Sequence, residues 1–224
     1  MYTGPNIIED GLVFAVDAGS TRSYPGSGTT ATNLAGSDTG TLTNGVSFGS
    51  GNGGVWQFDG VDDGIKFISE LNLSSYSSVT YSGWIKGLGV TSLDRWLSGT
   101  TGSAEFHNPD LTVSASGLLS YYFTTLTSGW TSTGISISGT EYNHVVFTFT
   151  NSGGVELYVN GSSVYTASLN SITFPSVSNI MIGNRYDLNG EALLGDIAAV
   201  RIYNRALTAA EVLQNYNAQK SRFI

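Results

Sequence analysis

Short apolar runs in which every second residue is hydrophobic recur along the whole chain, separated by clusters of Gly, Ser, Asn and Asp. That pattern predicts many short strands joined by turns, as in a sandwich or barrel. The runs predict strands at Leu12–Val16, Val55–Phe58, Ile65–Ile68, Val79–Lys86, Arg95–Leu97, Leu118–Phe123, His144–Thr150, Val155–Val159, Val164–Ala167, Ile180–Ile182 and Ile197–Tyr203. In the clearest of them Val145, Phe147 and Phe149 share one face, while His144, Val146, Thr148 and Thr150 share the other. Asn151-Ser152-Gly153-Gly154 then marks a turn, Val155, Leu157 and Val159 return, and Asn160-Gly161 suits a tight hairpin because both residues tolerate positive φ.

Helical periodicity is confined to the C-terminal end. Thr208 followed three positions later by Glu211 spells a capping box, Leu207 is placed to staple onto Val212, and Val212, Leu213 and Tyr216 form a stripe that predicts a helix to about Asn217. Residues 19–54 are rich in Gly, Ser, Thr and Asn, yet Tyr24, Leu34, Leu42, Val46 and Phe48 interrupt them at intervals suited to pinning a long surface loop onto the body. The expectation is therefore one unit over residues 1–224, an all-β, two-sheet antiparallel jelly-roll sandwich with one short C-terminal helix.

Composition narrows the partners. Nine basic against seventeen acidic residues give a formal net charge of -8, which argues against nucleic acid and against an anionic membrane surface. There is no cysteine, and a chain of 224 residues has enough core to fold without disulfides. The opening Met1 to Glu9 has neither a basic nor an apolar stretch, and no later segment reaches 18 uninterrupted apolar residues, so neither Sec export nor a spanning helix is expected.

The segment Trp56-Gln57-Phe58-Asp59-Gly60-Val61-Asp62-Asp63-Gly64-Ile65 resembles the Phe-Asp-Gly-x-Asp-Asp-Tyr element of laminin-G-like, concanavalin-type domains. Thr80-Tyr81-Ser82-Gly83-Trp84-Ile85-Lys86 is similar to that family's Thr-x-x-x-Trp-x-Lys strand, and Tyr142-Asn143-His144-Val145 to its Trp-x-His-Val strand. Glu156-Leu157-Tyr158-Val159-Asn160-Gly161, Ile182-Gly183 and the stretch from Gly195 to Glu211 continue the series in order. The resemblance implies the concanavalin-like sandwich. The opening Asp10 to Ala18, with Ser23 to Thr30 and Gly40 to Gly45, is similar to openings of tailed-phage virion proteins that carry this domain. It implies a virion protein assembled in the host cytoplasm, whose partners are other virion subunits or further copies of itself. The family's acidic pair after Gly-x-Ile is replaced by Ala198-Ala199, with Asp196 displaced, which puts an inherited metal site in question.

Candidate chemistry is sparse. Two carboxylates flanking a glycosidic bond must share a cleft, and on a strand that means a spacing of two or four. No two acidic residues are two apart, and the four-apart pairs Asp59 with Asp63 and Asp187 with Glu191 lie in Gly-rich turns. His107 reads as a loop residue and His144 as a strand residue bonded to backbone; two histidines are too few for a His-based metal site. Asp59, Asp62 and Asp63 supply the hard oxygens that Ca²⁺ takes, but their place in a Gly-rich turn favours carboxylates that cap backbone amides; Ca²⁺ stays as the alternative, with Asp196 as a further ligand. For a glycan, Trp130 is the aromatic best placed to stack on sugar CH groups, with Tyr121, Tyr122, Asn184, Arg185 and Asp187 as polar and aromatic neighbours. Trp56, Trp84 and Trp96 are assigned to structural packing. The expectation is a non-catalytic virion surface protein, as capsid decoration, fibre or tail; the alternative is a lectin-like adhesion module for surface polysaccharide, and a third reading is a glycoside hydrolase.

Overall fold

Alternating side chains on paired strands give each sheet one apolar face, and two such faces close on each other. The structure, a computed structural model, describes residues 5–100, 107–123, 129–152, 154–168, 171–188 and 190–224. Its strands are β1 (Leu12–Asp17), β2 (Thr30–Thr32), β3 (Thr39–Thr43), β4 (Ser47–Gly49), β5 (Val55–Asp59), β6 (Gly64–Asn72), β7 (Ser78–Gly89) and β8 (Asp94–Thr100). They continue with β9 (His107–Val113), β10 (Leu118–Tyr122), β11 (Thr131–Ser136), β12 (Asn143–Thr150), β13 (Gly154–Val159), β14 (Ser162–Ser168), β15 (Ser176–Ile182) and β16 (Leu193–Tyr203). One helix, α1 (Ala209–Gln219), follows and ends in a 3-10 turn over Lys220–Arg222.

The first sheet runs β14-β13-β12-β7-β16-β5-β4, with β1 beside the other half of the long β16; the second runs β11-β10-β9-β8-β15-β6-β3-β2. Every strand pairing between these elements is antiparallel. Phe14, Val16, Trp56, Tyr81, Val145, Phe147 and Phe149 of the first sheet meet Ile65, Phe67, Trp96, Leu111, Tyr121 and Ile180 of the second in one buried cluster. The three tryptophans assigned to structural packing are all fully buried, Trp56 and Trp96 between the sheets and Trp84 on the outer face of the first sheet. Asn160 and Gly161 both take positive φ, 53° and 82°, in the turn between β13 and β14. Gly153 of the preceding turn lies outside the described residues.

The segment expected to be a loop, residues 19–54, instead contributes β2, β3 and β4 to the sheet edges. Tyr24 and Leu42 are the buried pins, with Val46 and Phe48 packed against the same cluster. A thin edge strand of Thr and Gly is readily mistaken for a linker, yet Gly40 is there for a reason: a Cβ on it would lie 2.4 Å from the Phe67 ring. His107, expected in a loop, opens β9.

The outer face of the first sheet is covered as well. Helix α1 starts with the expected capping box, Thr208 Oγ1 accepting from the Glu211 amide, and Val212 packs with Leu207, Val146, Tyr158 and Tyr203. Leu213, expected on the apolar stripe, is instead 46% exposed. Tyr216 and Phe223 lie over Trp84, with ring centroids 5.7 and 4.3 Å away.

Candidate functional site

On the second sheet the side chains turned away from the core include Arg95 from β8, Asp110 from β9 and Tyr122 from β10. Arg95 Nε donates to Asp110 Oδ2 at 2.8 Å, with the two side chains 3% and 0% exposed. A guanidinium can be buried this deeply only with its charge and hydrogen bonds met. The second demand is filled from the loop after β15, where Glu191 also accepts from Arg95. Glu191 in turn lies 3.4 Å from Arg185, whose Nε donates to Asp187 at 2.7 Å. The result is a chain of alternating charges from Asp110 to Asp187 that fixes the loop against the sheet. The Asp187 carboxylate holds the Arg185 guanidinium firmly in its charged form.

Trp130 stands at the head of β11 and caps this chain. The Arg95 guanidinium lies 5.2 Å from its ring centroid, and the Tyr122 ring lies 5.2 Å away at 31°. Both aromatic rings are half-buried, so part of each meets solvent. The patch thus offers apolar ring surface beside planar donors and acceptors, the combination that sugar CH faces and hydroxyls require.

Of the six residues expected here, Trp130, Tyr122, Arg185 and Asp187 come together and two do not reach the surface. Tyr121 points the other way, as alternation from Tyr122 demands, and is buried against Phe147 and Phe149. Asn184 is buried too; its Nδ2 donates to the Asp63 carbonyl at 3.0 Å and its Oδ1 accepts from the Arg185 amide at 2.6 Å. It supports the loop and contacts no solvent. Arg95, Asp110 and Glu191 were missed.

Asn184 ties this loop to the turn that carries the chain from β5 in the first sheet to β6 in the second, where the three aspartates meet. One carboxylate oxygen from each of Asp59, Asp62 and Asp63 lies within 4.8 Å of the others. Turn capping is present: Asp59 Oδ1 accepts from the Val61 amide at 2.9 Å and Asp63 Oδ2 from the Asp59 amide at 3.0 Å. Asp63 is only 3% exposed, and its Oδ1 is buried without a hydrogen-bond partner. Burial, and then the neighbouring Asp59 and Asp62 charges, push its carboxyl above the usual range. An orphaned oxygen among like charges fits a hard cation, so this donor set suits Ca²⁺.

Asp196 does not belong to that set. It pairs with Gln57 in register, accepts from the Tyr142 hydroxyl at 2.7 Å and lies 3.7 Å from Lys86. Ala198 and Ala199, standing where the family has acids, are fully buried with Trp84 and Val55, so that position is packing here. His144 is bonded through its ring to Ser82 Oγ at 2.9 Å rather than to backbone and stacks on Trp84 at 5.1 Å. Burial, then the Arg201 charge, lower its pKa to about 3. Gly45-Val46-Ser47-Phe48-Gly49 has the spacing of a nucleophile elbow, but it forms a turn and edge strand β4, and Ser47 bonds weakly to Gln57 at 3.5 Å. A cavity of about 460 Å³, lined in part by Arg22 and Arg201, lies at the edge of β1.

A two-sheet sandwich with aromatic and ionic side chains on the solvent side of one sheet is the architecture of a lectin-like domain. Residues 58–213, more than half of the chain, match the model of the concanavalin A-like lectin/glucanases superfamily, and the chain belongs to that family. No curated protein matches it in sequence. Among solved structures, Trypanosoma rangeli sialidase in complex with sialic acid is similar over 95% of this chain and 33% of its own, with TM-score 0.70 and 16% identity. Domain 4 of AbnA, a GH43 extracellular arabinanase from Geobacillus stearothermophilus in complex with arabinotriose, is similar over 93% of this chain and 100% of its own, with TM-score 0.67 and 19% identity. The binding domain of Botulinum Neurotoxin DC in complex with SialylT is similar over 94% of this chain and 52% of its own, with TM-score 0.69 and 12% identity. The chain therefore spans about a third of the sialidase, and these likenesses concern the fold.

Proposed function

We propose that this chain is a glycan-binding module that holds a saccharide at the Trp130 patch without cleaving it. The observation that carries this is the half-exposed Trp130–Tyr122 pair set beside the Arg95, Glu191, Arg185 and Asp187 chain. Similar folds complexed with arabinotriose and with SialylT support the same reading. Absence of turnover is supported by the engagement of the nearby acids: Asp110, Asp187 and Glu191 are each taken up by an arginine, whereas a glycosidase needs one free to hand a proton to the glycosidic oxygen.

Calcium is part of the proposal. Asp59, Asp62 and Asp63 would hold the ion, whose charge offsets their mutual repulsion and stiffens the β5–β6 turn to which Asn184 anchors the binding loop. A place on a tailed-phage particle rests on the resemblance of the opening segment alone, and fold and likenesses favour binding over a purely structural role. The test is a glycan array followed by titration calorimetry on the best saccharide. Saturable binding weakened at least roughly tenfold by Trp130→Ala is expected, a loss matching about 1.4 kcal/mol of stacking. No binding by the unaltered protein, binding indifferent to Trp130→Ala, or release of reducing sugar from a β-glucan would each overturn it.

A further inference from the structure

The cavity at the edge of β1 lies on the other sheet, away from the Trp130 patch. Ala15 and Arg201 face each other across β1 and β16. Their neighbours Phe14, Val16, Val200 and Ile202 point into the sandwich core, so Ala15 and Arg201 point out of it. The segment Asn33 to Ala35 docks along the free edge of β1: Asn33 Oδ1 accepts from the Ala15 amide at 2.9 Å and the Leu34 amide donates to the Ala15 carbonyl at 2.7 Å. Between this segment, β1 and the chain before it opens a cavity of about 460 Å³, lined by Arg22, Arg201, Glu9, Leu12, Leu34 and Ala15 among others. That volume is ample for a monosaccharide.

The charges around it are unevenly matched. Arg201, 7% exposed, has one carboxylate within reach, Asp17, and that contact is long at 3.5 Å. Arg222 claims both oxygens of Asp17 at 2.9 Å, and Gln219 takes a further bond to one of them at 2.9 Å. Arg201 is left with the neutral Gln219 oxygen at 2.8 Å as its good acceptor. Arg22, exposed at the rim, makes no ion pair among the described residues. In a chain of net charge -8 with nine basic residues, two guanidinium groups with little compensation therefore share one cavity. A buried cation with half a partner favours an incoming anion, and guanidinium matches a carboxylate in shape. Glu9 adds an acceptor for hydroxyls, and Leu12 and Leu34 add apolar surface for a ring.

We infer that this cavity binds a sugar acid, with the carboxylate taken by Arg201 and Arg22, the hydroxyls by Glu9, and a ring face by the leucines. Nothing in this depends on the Trp130 patch, so either site can fail without the other.

The experiment is NMR titration of the ¹⁵N-labelled full chain with D-glucuronate, with D-glucose and acetate as separate controls at equal ionic strength. Saturable shifts of the Arg201 and Arg22 Nε–H signals and the Leu34 amide are expected with glucuronate, and neither control should reach the same occupancy. Arg22→Gln, at an exposed position that leaves folding intact, should weaken glucuronate roughly tenfold, as loss of one charge-assisted contact does. Ala35→Trp at the rim should block entry with Arg22 still present, and Trp130→Ala should change nothing. Equal response to glucose, equal response to acetate, shifts confined to the Trp130 region, or indifference to both Arg22→Gln and Ala35→Trp would each overturn the assignment.

Discussion

Burial penalises the charged form of two groups of this chain, His144 and Asp63, and each leaves a signature in stability against pH or metal. His144 sits beneath Trp84 with a pKa lowered to about 3, so the folded protein keeps it neutral while the unfolded chain protonates it near 6.5. A group depressed in this way gives its full stabilisation above about 6.5 and loses it as pH falls toward 3. Urea denaturation between pH 6 and pH 4 should show stability falling by up to about 1.4 kcal/mol per pH unit from this residue, a slope that His144→Gln flattens. An unchanged acid limb in the variant contradicts the neutral buried histidine. Asp63 is the reverse case, its carboxyl raised by burial and by Asp59 and Asp62, so near neutral pH its charge weakens the fold and proton uptake on acidification relieves it. In EDTA, Asp63→Asn should therefore melt higher than the parent, because the amide oxygen still accepts from the Asp59 amide. Added CaCl₂ should raise the melting temperature of the parent and leave the variant where it is; equal response of both, or no response of the parent, removes the cation from the β5–β6 turn.

At the scale of elements, the strands with alternating Val, Ile, Phe and Tyr were legible, and each of the eleven apolar runs lies on an observed strand, save that Phe123 falls just past β10. β9 was not, since His107-Asn108-Pro109-Asp110 carries residues that strands disfavour. Pro109 is accommodated because the pairing of β8 with β9 shifts register between Ser98 and Thr100. β11, with Thr, Ser and a Gly134 at φ 73°, likewise has no apolar rhythm to read. The site was legible in the same uneven way. Trp130, Tyr122, Arg185 and Asp187 declare themselves by residue type, but Arg95 meets Glu191 across 96 positions, and no local pattern reports that contact. Tyr121 was misassigned because neighbouring residues on a strand face opposite sides, so only one of Tyr121 and Tyr122 can line the patch. A reading of that alternation in β10 would have found it. The hairpin at Asn160-Gly161 and the capping box at Thr208 were readable for the opposite reason, each being decided within four residues.

At the scale of the molecule, the two ends of the chain close over the first sheet. The Ile8 amide donates to Asn215 Oδ1 and Gln214 Nε2 to the Asn6 carbonyl, both at 2.8 Å, so α1 holds the segment that leads into β1. Past the helix, Arg222 reaches Asp17 of β1 at 2.9 Å and the Gly54 carbonyl ahead of β5 at 3.1 Å, while Phe223 stacks 4.3 Å from Trp84 of β7. The last residues of the chain thus touch three strands that must already be paired before these contacts exist. In a sheet of such distant pairings, loop closure makes folding slow, on the order of milliseconds to seconds, and contacts that need the finished sheet form after the barrier. Phe223→Ala should cost on the order of 2 kcal/mol, less than a fully buried phenylalanine because the ring is half-exposed. That loss should fall on the unfolding rate, which rises about thirtyfold, with the refolding rate hardly changed. Stopped-flow chevrons of parent and variant separate the two limbs; a refolding limb slowed by as much as the unfolding limb is accelerated means that the tail docks before the sheet is complete, and the ordering argued from these contacts is then wrong.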